Sequence, residues 1–452
     1  MRKLLSGIVR ALVKLMGDIY LAVQGNSARS YIPAAGKVVG RDELRNMIDA
    51  SLDMWLTTGR FNDEFERKLA RTVGVRHALS VNSGSSANLL AVSALTSHTL
   101  KDRRLRAGDE VITVAAGFPT TIAPIVQNRL IPVFVDVDLG TYNANIEQIE
   151  KAVTKKTKAI MLAHTLGNPF TIDAVLAIAQ RKKLWVIEDN CDALGSEYRG
   201  RKTGGFGDIA TGSFYPAHHI TMGEGGAVMT NDSALYRILL SLRDWGRDCY
   251  CPPGADNTCK RRFTQTFGKL PMGFDHKYTY SHLGYNLKIT DWQAAIGLAQ
   301  LEKLPSFVEK RKVNFAALSK ALARHETHLI LPKAVEGASP SWFGYLLTVR
   351  KEAPFTKREL VVHLEENGIG TRELFAGNVL RQPVFVADAI PLRIRTSKLL
   401  SSRRLTDAHY RLLPNTEAVM HGTFWIGVWP GIGANAIRTM TSAIDTYIAA
   451  HT

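Results

Sequence analysis

An adjacent histidine pair lies in the run Ser213-Phe214-Tyr215-Pro216-Ala217-His218-His219-Ile220-Thr221-Met222-Gly223-Glu224-Gly225-Gly226. An imidazole titrates near neutral pH, so either ring is a candidate to move a proton. The plainer role for one of the pair is to fill space or bond to backbone. Asp189 follows the apolar run Leu184-Trp185-Val186-Ile187-Glu188. Open α/β sheets seat ligands at strand carboxyl ends, where this carboxylate would meet a protonated ring nitrogen. Its alternative is a helix N-cap. Ser83-Gly84-Ser85-Ser86-Ala87 sits between a predicted strand and a predicted helix. Small residues there let N–H groups and hydroxyls surround a phosphate. Phe118, in Gly117-Phe118-Pro119-Thr120-Thr121, is placed to stack on a planar ligand or to pack in the core.

All four cysteines, Cys191, Cys249, Cys251 and Cys259, follow the spacing C-x57-C-x-C-x7-C. Disulfides belong to oxidising compartments. Three thiols in one polar loop, with a fourth two residues past Asp189, point to a metal. Four thiolates suit zinc, although no CxxC pair is present, and equally a [2Fe–2S] cluster. The spacing alone leaves both open.

The elements that must hold these residues alternate. Strands are predicted at 78–81, 110–114, 132–137, 159–163, 184–188, 210–214 and 226–230, with helices between them. That order implies an α/β fold with a mostly parallel sheet covered on both faces. Further helices are predicted at 41–54, 61–73, 292–304, 314–323 and 357–366, and a strand at 344–349. We divide the chain into an amphipathic helical arm, 1–35, a large domain, 36–305, and a smaller C-terminal α/β domain, 306–452. The long Gly- and Pro-containing loop 249–280 belongs to the large domain. The arm has Leu5, Ile8, Val9, Leu12, Leu15, Met16 and Ile19 at helical spacing, suited to packing on the body or on a second subunit.

The chain has 452 residues, 45% of them hydrophobic, enough for a sizeable core. Its net charge of +16 suits acidic ligands such as nucleotide sugars, or an acidic partner. The basic residues are scattered and form no nucleic-acid-binding motif, so no nucleic acid is expected. No apolar run is long enough for a membrane span. The expected compartment is the reducing cytoplasm.

Ser213 to Gly226, the Ser-Gly-Ser-Ser-Ala turn, Phe118, Glu188-Asp189, Gly284-Tyr285-Asn286-Leu287-Lys288 and Gln293 to Leu298 recur in one order and spacing. Together they resemble the DegT/DnrJ/EryC1/StrS sugar aminotransferases, which act on nucleotide-linked keto sugars. The resemblance covers residue 36 onward. It implies a fold-type-I architecture for pyridoxal phosphate (PLP) enzymes, with Gly84, Ser85, Ser86, Phe118, Asp189 and Ser213 around the cofactor. It also implies a homodimer, in which Asn286 reaches the neighbouring subunit's cofactor phosphate. His218 stands where the family carries its Schiff-base Lys. The cofactor is then expected as noncovalent PLP or pyridoxamine phosphate (PMP), with His218 as general base.

The cysteine spacing and Asp244 to Cys251 resemble the iron–sulfur dehydrases of this family. That likeness implies that the loop folds back to bring Cys249, Cys251 and Cys259 beside Cys191 as ligands of a [2Fe–2S] cluster. It implies C3 dehydration and deoxygenation of CDP-4-keto-6-deoxy-D-glucose in 3,6-dideoxyhexose and lipopolysaccharide O-antigen biosynthesis. Electrons would come from a separate NADH-dependent flavin/iron–sulfur reductase. The alternative is a cluster-free, glutamate-coupled dehydratase of a GDP- or dTDP-keto sugar. A sugar aminotransferase is opposed by the missing Lys. Trp55, Thr57, Thr58, Arg372 and Trp342 to Tyr345 are candidates for sugar or nucleotide contact.

Overall fold

Short apolar runs, Glu110–Val114, Ile131–Val135, Thr157–Ala163 and Trp185–Asp189, form the centre of a nine-stranded sheet. The structure is a computed structural model that describes residues 2–24 and 31–452. Across the sheet the order is His77–Val81, Gly226–Thr230, Ile209–Ser213, Trp185–Asp189, Thr157–Ala163, Glu110–Val114, Ile131–Val135, Pro391–Ile394 and Leu400–Ser401. The five pairings from Ile209–Ser213 to Pro391–Ile394 are parallel. Gly226–Thr230 runs antiparallel to both of its neighbours, and Leu400–Ser401 is antiparallel to Pro391–Ile394.

Side chains alternate across these strands, so each face has its own core. Ile112, Val133, Ile160 and Val186 pack with the helix Ile172–Lys182 on one face. Val111, Ala159, Met161 and Ile187 pack with Gly84–Leu95 and Ser233–Arg243 on the other. Parallel strands buried on both faces carry continuous apolar sequence, which is why they are legible. The mostly parallel α/β arrangement agrees with the expectation from sequence.

The predicted helices 292–304 and 314–323 are one helix, Asp291–Leu322, running through Pro305. Proline removes one donor and usually kinks or ends a helix. Here buried Leu301, Leu304 and Phe307 on either side of Pro305, and Leu318 and Leu322 further on, hold the continuous helix in place. It packs on the helices Arg41–Asp53 and Arg60–Val73. Residue 305, where the sequence suggests a domain boundary, therefore lies within a helix. C-terminal to it, Leu329–Ile330, Gly344–Val349, Thr423–Gly427 and Thr371–Glu373 form a four-stranded sheet. Pro391–Ile394 instead joins the large sheet. There the Arg393 guanidinium meets the Glu110 carboxylate at 2.8 Å, and both side chains are buried.

The first helix, Arg2–Gln24, docks by its charged side. Arg10 pairs with Asp49 and Asp53, Lys14 with Asp49, and Asp18 with Arg41 and Arg45. Ile8, Leu12, Leu15, Met16 and Ile19 remain exposed. Among the described residues no helix is long and apolar enough to cross a membrane.

Candidate active site

Strand ends and helix starts converge on a cavity of about 360 Å³. Gly84, Ser85, Phe118, Asp189, Cys191, Ser213 and His218 all line it. A larger open cleft, about 1240 Å³, lies at the opposite end of the sheet, around Lys155, Lys158, Lys182 and Lys183. Ligands of open α/β sheets bind at strand carboxyl ends, which favours the smaller cavity as the chemical site.

Asp189 is buried at the end of Trp185–Asp189 and is not a helix cap. Its Oδ2 accepts from Asn88 Nδ2 at 2.9 Å and from Thr121 Oγ1 at 2.7 Å. Asn88 is itself fixed by Thr211, whose hydroxyl donates to Asn88 Oδ1 at 2.6 Å. The carboxylate is thus aimed by three neutral groups, none of which neutralises its charge. Behind it, Glu188 faces the other way and is fully enclosed. Its oxygens accept from His164 Nε2 and from the N–H groups of Gly204, Phe206 and Gly207 at 2.6–3.0 Å.

The helix Gly84–Leu95 begins at the cavity, capped by Ser83, whose Oγ accepts from the Ser86 N–H at 3.0 Å. The N-terminus of a helix attracts anions. Ser86 does not line the cavity; its hydroxyl accepts from Ser83 Oγ at 3.0 Å. Gly226 is required by close approach: a Cβ there would sit 2.7 Å from Gly84 N and against the Ser83 carbonyl. Phe118, half exposed, leans edge-on against Phe375. A carboxylate at the back, an aromatic at the side and a helix N-terminus at the end fit a pyridoxal-type cofactor.

The two histidines separate cleanly. His218 lines the cavity, with Nδ1 3.4 Å from Asp192 Oδ1 and its ring against Phe343. His219 is buried and donates from Nε2 to the Ser341 carbonyl at 2.7 Å. Burial, then the charge of Arg311, push its pKa well below the usual imidazole range. It is a neutral structural ring. Arg311 is buried as well, and burial pushes its pKa down to about 9. It donates to the carbonyls of Trp342, Phe343 and His218 at 3.1–3.3 Å and so ties the His218 backbone to the cavity wall.

The cysteines form two sites. Cys249, Cys251 and Cys259 line one small cavity with His276. Cys191 lines the main cavity, beside Gly84, where burial and Asp189 push its thiol pKa up. Within one chain the four thiols do not make a four-thiolate site. Among the described residues no group of three or more His, Cys, Asp and Glu is set to hold a metal ion. Asn286 is also outside its own chain's cavity and is bridged to Asp244.

Of the candidates for sugar contact, Arg372 and Phe343 reach the cavity. Trp342 is buried against Phe315, and Trp55 donates to the Thr58 carbonyl. Asp192, Tyr215, Asn88, Thr121, Arg311 and Trp425 escaped sequence reasoning as functional residues. Asp192, Tyr215 and Thr121 lay in or beside stretches that the sequence singles out: three residues after Asp189, within Ser213 to Gly226, and within Gly117 to Thr121.

Residues 39–445 match the DegT/DnrJ/EryC1/StrS aminotransferase family. The lipopolysaccharide biosynthesis protein RfbH of Salmonella typhimurium is 55% identical over 421 residues, 92% of each chain. The dTDP-4-dehydro-2,6-dideoxy-D-glucose 3-dehydratase of Saccharopolyspora spinosa is 51% identical, over 92% of this chain and 87% of its own. The solved structure of E coli GDP-4-keto-6-deoxy-D-mannose-3-dehydratase with bound hydrated PLP superposes with a TM-score of 0.79 at 28% identity. It covers 91% of this chain and 98% of its own. The cavity at the strand ends, the imidazole within it and these likenesses converge: the chain belongs to the DegT/DnrJ/EryC1/StrS aminotransferase family.

Proposed function

We propose that the chain dehydrates C3 of a nucleotide-linked 4-keto-6-deoxyhexose, with PMP held noncovalently. The observation that carries this reading is the His218 imidazole in the cavity, where among the described residues no lysine lines the wall to anchor PLP as an imine. The cofactor supplies an amine for the C4 ketone and a ring that takes up an electron pair. Asp189 would face the ring nitrogen and favour its protonated form. The Gly84–Ser85 turn and the helix N-terminus would receive the phosphate, with Ser213 beside them. His218, its ring beside Asp192 and its backbone held by Arg311, would be the group that moves a proton at the cofactor's C4′ carbon. The same ring is the acid for the departing 3-hydroxyl, because His219 is buried and committed to Ser341. Phe343, Phe375 and Trp425 keep water from the reacting carbon.

The finer reading is CDP-4-keto-6-deoxy-D-glucose as substrate, within dideoxyhexose biosynthesis for lipopolysaccharide. The likeness to the lipopolysaccharide biosynthesis protein RfbH supports the lipopolysaccharide part of this reading. The four cysteines would be the ligands of a [2Fe–2S] cluster, which would supply the electrons for the deoxygenation from a separate NADH-dependent reductase. We assign the working form to a homodimer in the cytoplasm. The net charge of +16 suits a nucleoside diphosphate sugar.

A second reading is the cluster-free, glutamate-coupled dehydratase. It is favoured by the likeness to GDP-4-keto-6-deoxy-D-mannose 3-dehydratase and by the separation of Cys191 from the other thiols. Iron and acid-labile sulfide on anaerobically purified protein, with EPR after dithionite, decide between the two. About two of each per chain supports the reductive enzyme. Neither, even after reconstitution, moves the function to the glutamate-coupled reaction.

A further inference from the structure

Behind His218 lies a second, much smaller chamber, of about 10 Å³. That is the room one water molecule needs. His218, His219 and Arg311 line it, with Thr221 and Gln300. His218 also lines the main cavity, so it stands as a wall between the two.

Three nitrogens of this wall are buried and have no hydrogen-bond partner among the described residues: His218 Nδ1, His219 Nδ1 and Arg311 Nε. The atoms beside them are committed elsewhere. Arg311 uses Nη1 on the Trp342 and Phe343 carbonyls and Nη2 on the His218 carbonyl, which leaves its Nε–H, a fixed donor. His219 donates through Nε2 to the Ser341 carbonyl at 2.7 Å, so its Nδ1 carries a lone pair and can only accept. The Gln300 amide is fully used: Nε2 donates to the Val38 carbonyl at 2.8 Å and to Glu43 Oε1 at 2.7 Å, and Oε1 accepts from the Thr221 N–H at 3.2 Å. Buried polar groups are rarely left unpaired, because each loses its hydration without return. A fixed donor and a fixed acceptor on one small chamber call for a molecule that plays both roles. The Arg311 charge opposes a metal cation there, and the His219 lone pair opposes an anion.

We propose that one water molecule is bound in this chamber, accepting from Arg311 Nε–H, donating to His219 Nδ1 and bonded to His218 Nδ1, and that it fixes the His218 ring from behind. Three partners are the usual number for a buried water. Asp192 lies 3.4 Å from the same His218 nitrogen without the alignment of a hydrogen bond, so the water supplies the directional bond that the carboxylate does not. With Nδ1 tied at the wall, Nε2 is the nitrogen left for proton transfer. Arg311 and His219 are then positioning residues, a role that rests on the reading of His218 as the group that moves the proton.

The test is a crystal structure of the PMP-loaded protein together with two variants that divide the two bonds of His219. His219→Asn puts a carbonyl oxygen near the place of Nδ1 and gives up the Ser341 bond. His219→Gln reaches toward Ser341 and gives up the acceptor in the chamber. Thermal melts report folding. The wild type and the His219→Asn variant are expected to show one ordered water within hydrogen-bonding distance of Arg311 Nε and His218 Nδ1. The His219→Gln variant should lose it, with the His218 ring turned or split between orientations. At saturating substrate that variant should turn over about 10-fold more slowly than His219→Asn with KM little changed, a smaller loss than the ~10²–10⁴ of removing a proton-transfer group. A wild-type chamber without water, or Arg311 Nε bonded to a protein group instead, would overturn the site whatever the variants do. An identical His218 ring in both variants, or His219→Gln as fast as His219→Asn, would overturn the positioning role and leave His219 as an anchor for Ser341 only. Wild type that binds PMP but dehydrates no nucleotide-linked 4-keto sugar removes the functional reading instead, while the water and the ring orientation still decide the site.

Discussion

Asp192 Oδ1 lies 3.4 Å from His218 Nδ1, an ion-pair distance without the alignment of a hydrogen bond. The carboxylate therefore orients the ring at the cavity wall. Replacing Asp192 with Asn keeps the shape and removes the charge. Turnover is expected to fall about 10- to 100-fold, less than the ~10²–10⁴ typical of losing a proton-transfer group. Steady-state rates at saturating substrate, with substrate Kd measured in parallel, check this. An unchanged rate would show that Asp192 does not support His218.

His218→Lys places an amine where the imidazole stands. With added PLP the variant is expected to form a covalent imine, seen as a new visible absorption band that borohydride bleaches. The dehydration should fall to background. Without such a band, the assignment of this position as the lost anchor fails.

Glu188 gives a pH prediction. Burial alone raises a carboxyl pKa, but His164 and the N–H groups of Gly204 and Gly207 outweigh it and hold Glu188 below the usual range. A folded-state pKa below the unfolded value stabilises the fold above the unfolded pKa of about 4.3. That contribution is lost as pH falls through the lower, folded-state value. Glu188→Gln should cost about 2–4 kcal/mol near neutral pH. The cost should shrink in acid, which denaturant melts at pH 7 and pH 4 will resolve.

Gly226→Ala tests the cofactor cup. Its Cβ would meet backbone of Ser83 and Gly84, which cannot swing aside as a flexible side chain can. Stability is expected to drop by about 1–3 kcal/mol. PMP affinity should fall as the turn is pushed out of place. Thermal melts with and without PMP separate the two effects.

The parts of the fold legible in sequence are those with local causes. The central strands are apolar on both faces, and Gly84–Leu95 is preceded by its Ser83 cap. The continuity of Asp291–Leu322 was hidden because Pro305 is a local signal for a break, while the packing that overrides it is tertiary. Pro391–Ile394 was illegible because four residues carry little periodicity, and its place comes from pairing with Ile131–Val135. In the site, His218 and Asp189 stood out by motif. Asn88 and Thr121 did not, since they lie 101 and 68 residues from the carboxylate they aim. The partition of the thiols was also invisible, because it depends on how the loop after Cys249 is anchored.

The cavity wall is drawn from Ala35 to Trp425, nearly the whole length of the chain. No fragment contains it, and the pairings that build it are distant in sequence, the kind that form slowly as a chain folds. A ligand seated there binds only the finished fold and thus holds both ends of the polypeptide in place. Heat resistance should rise with ligand concentration as RT ln(1 + [L]/Kd). A cell short of the cofactor would then carry less of this protein, as well as a less active one.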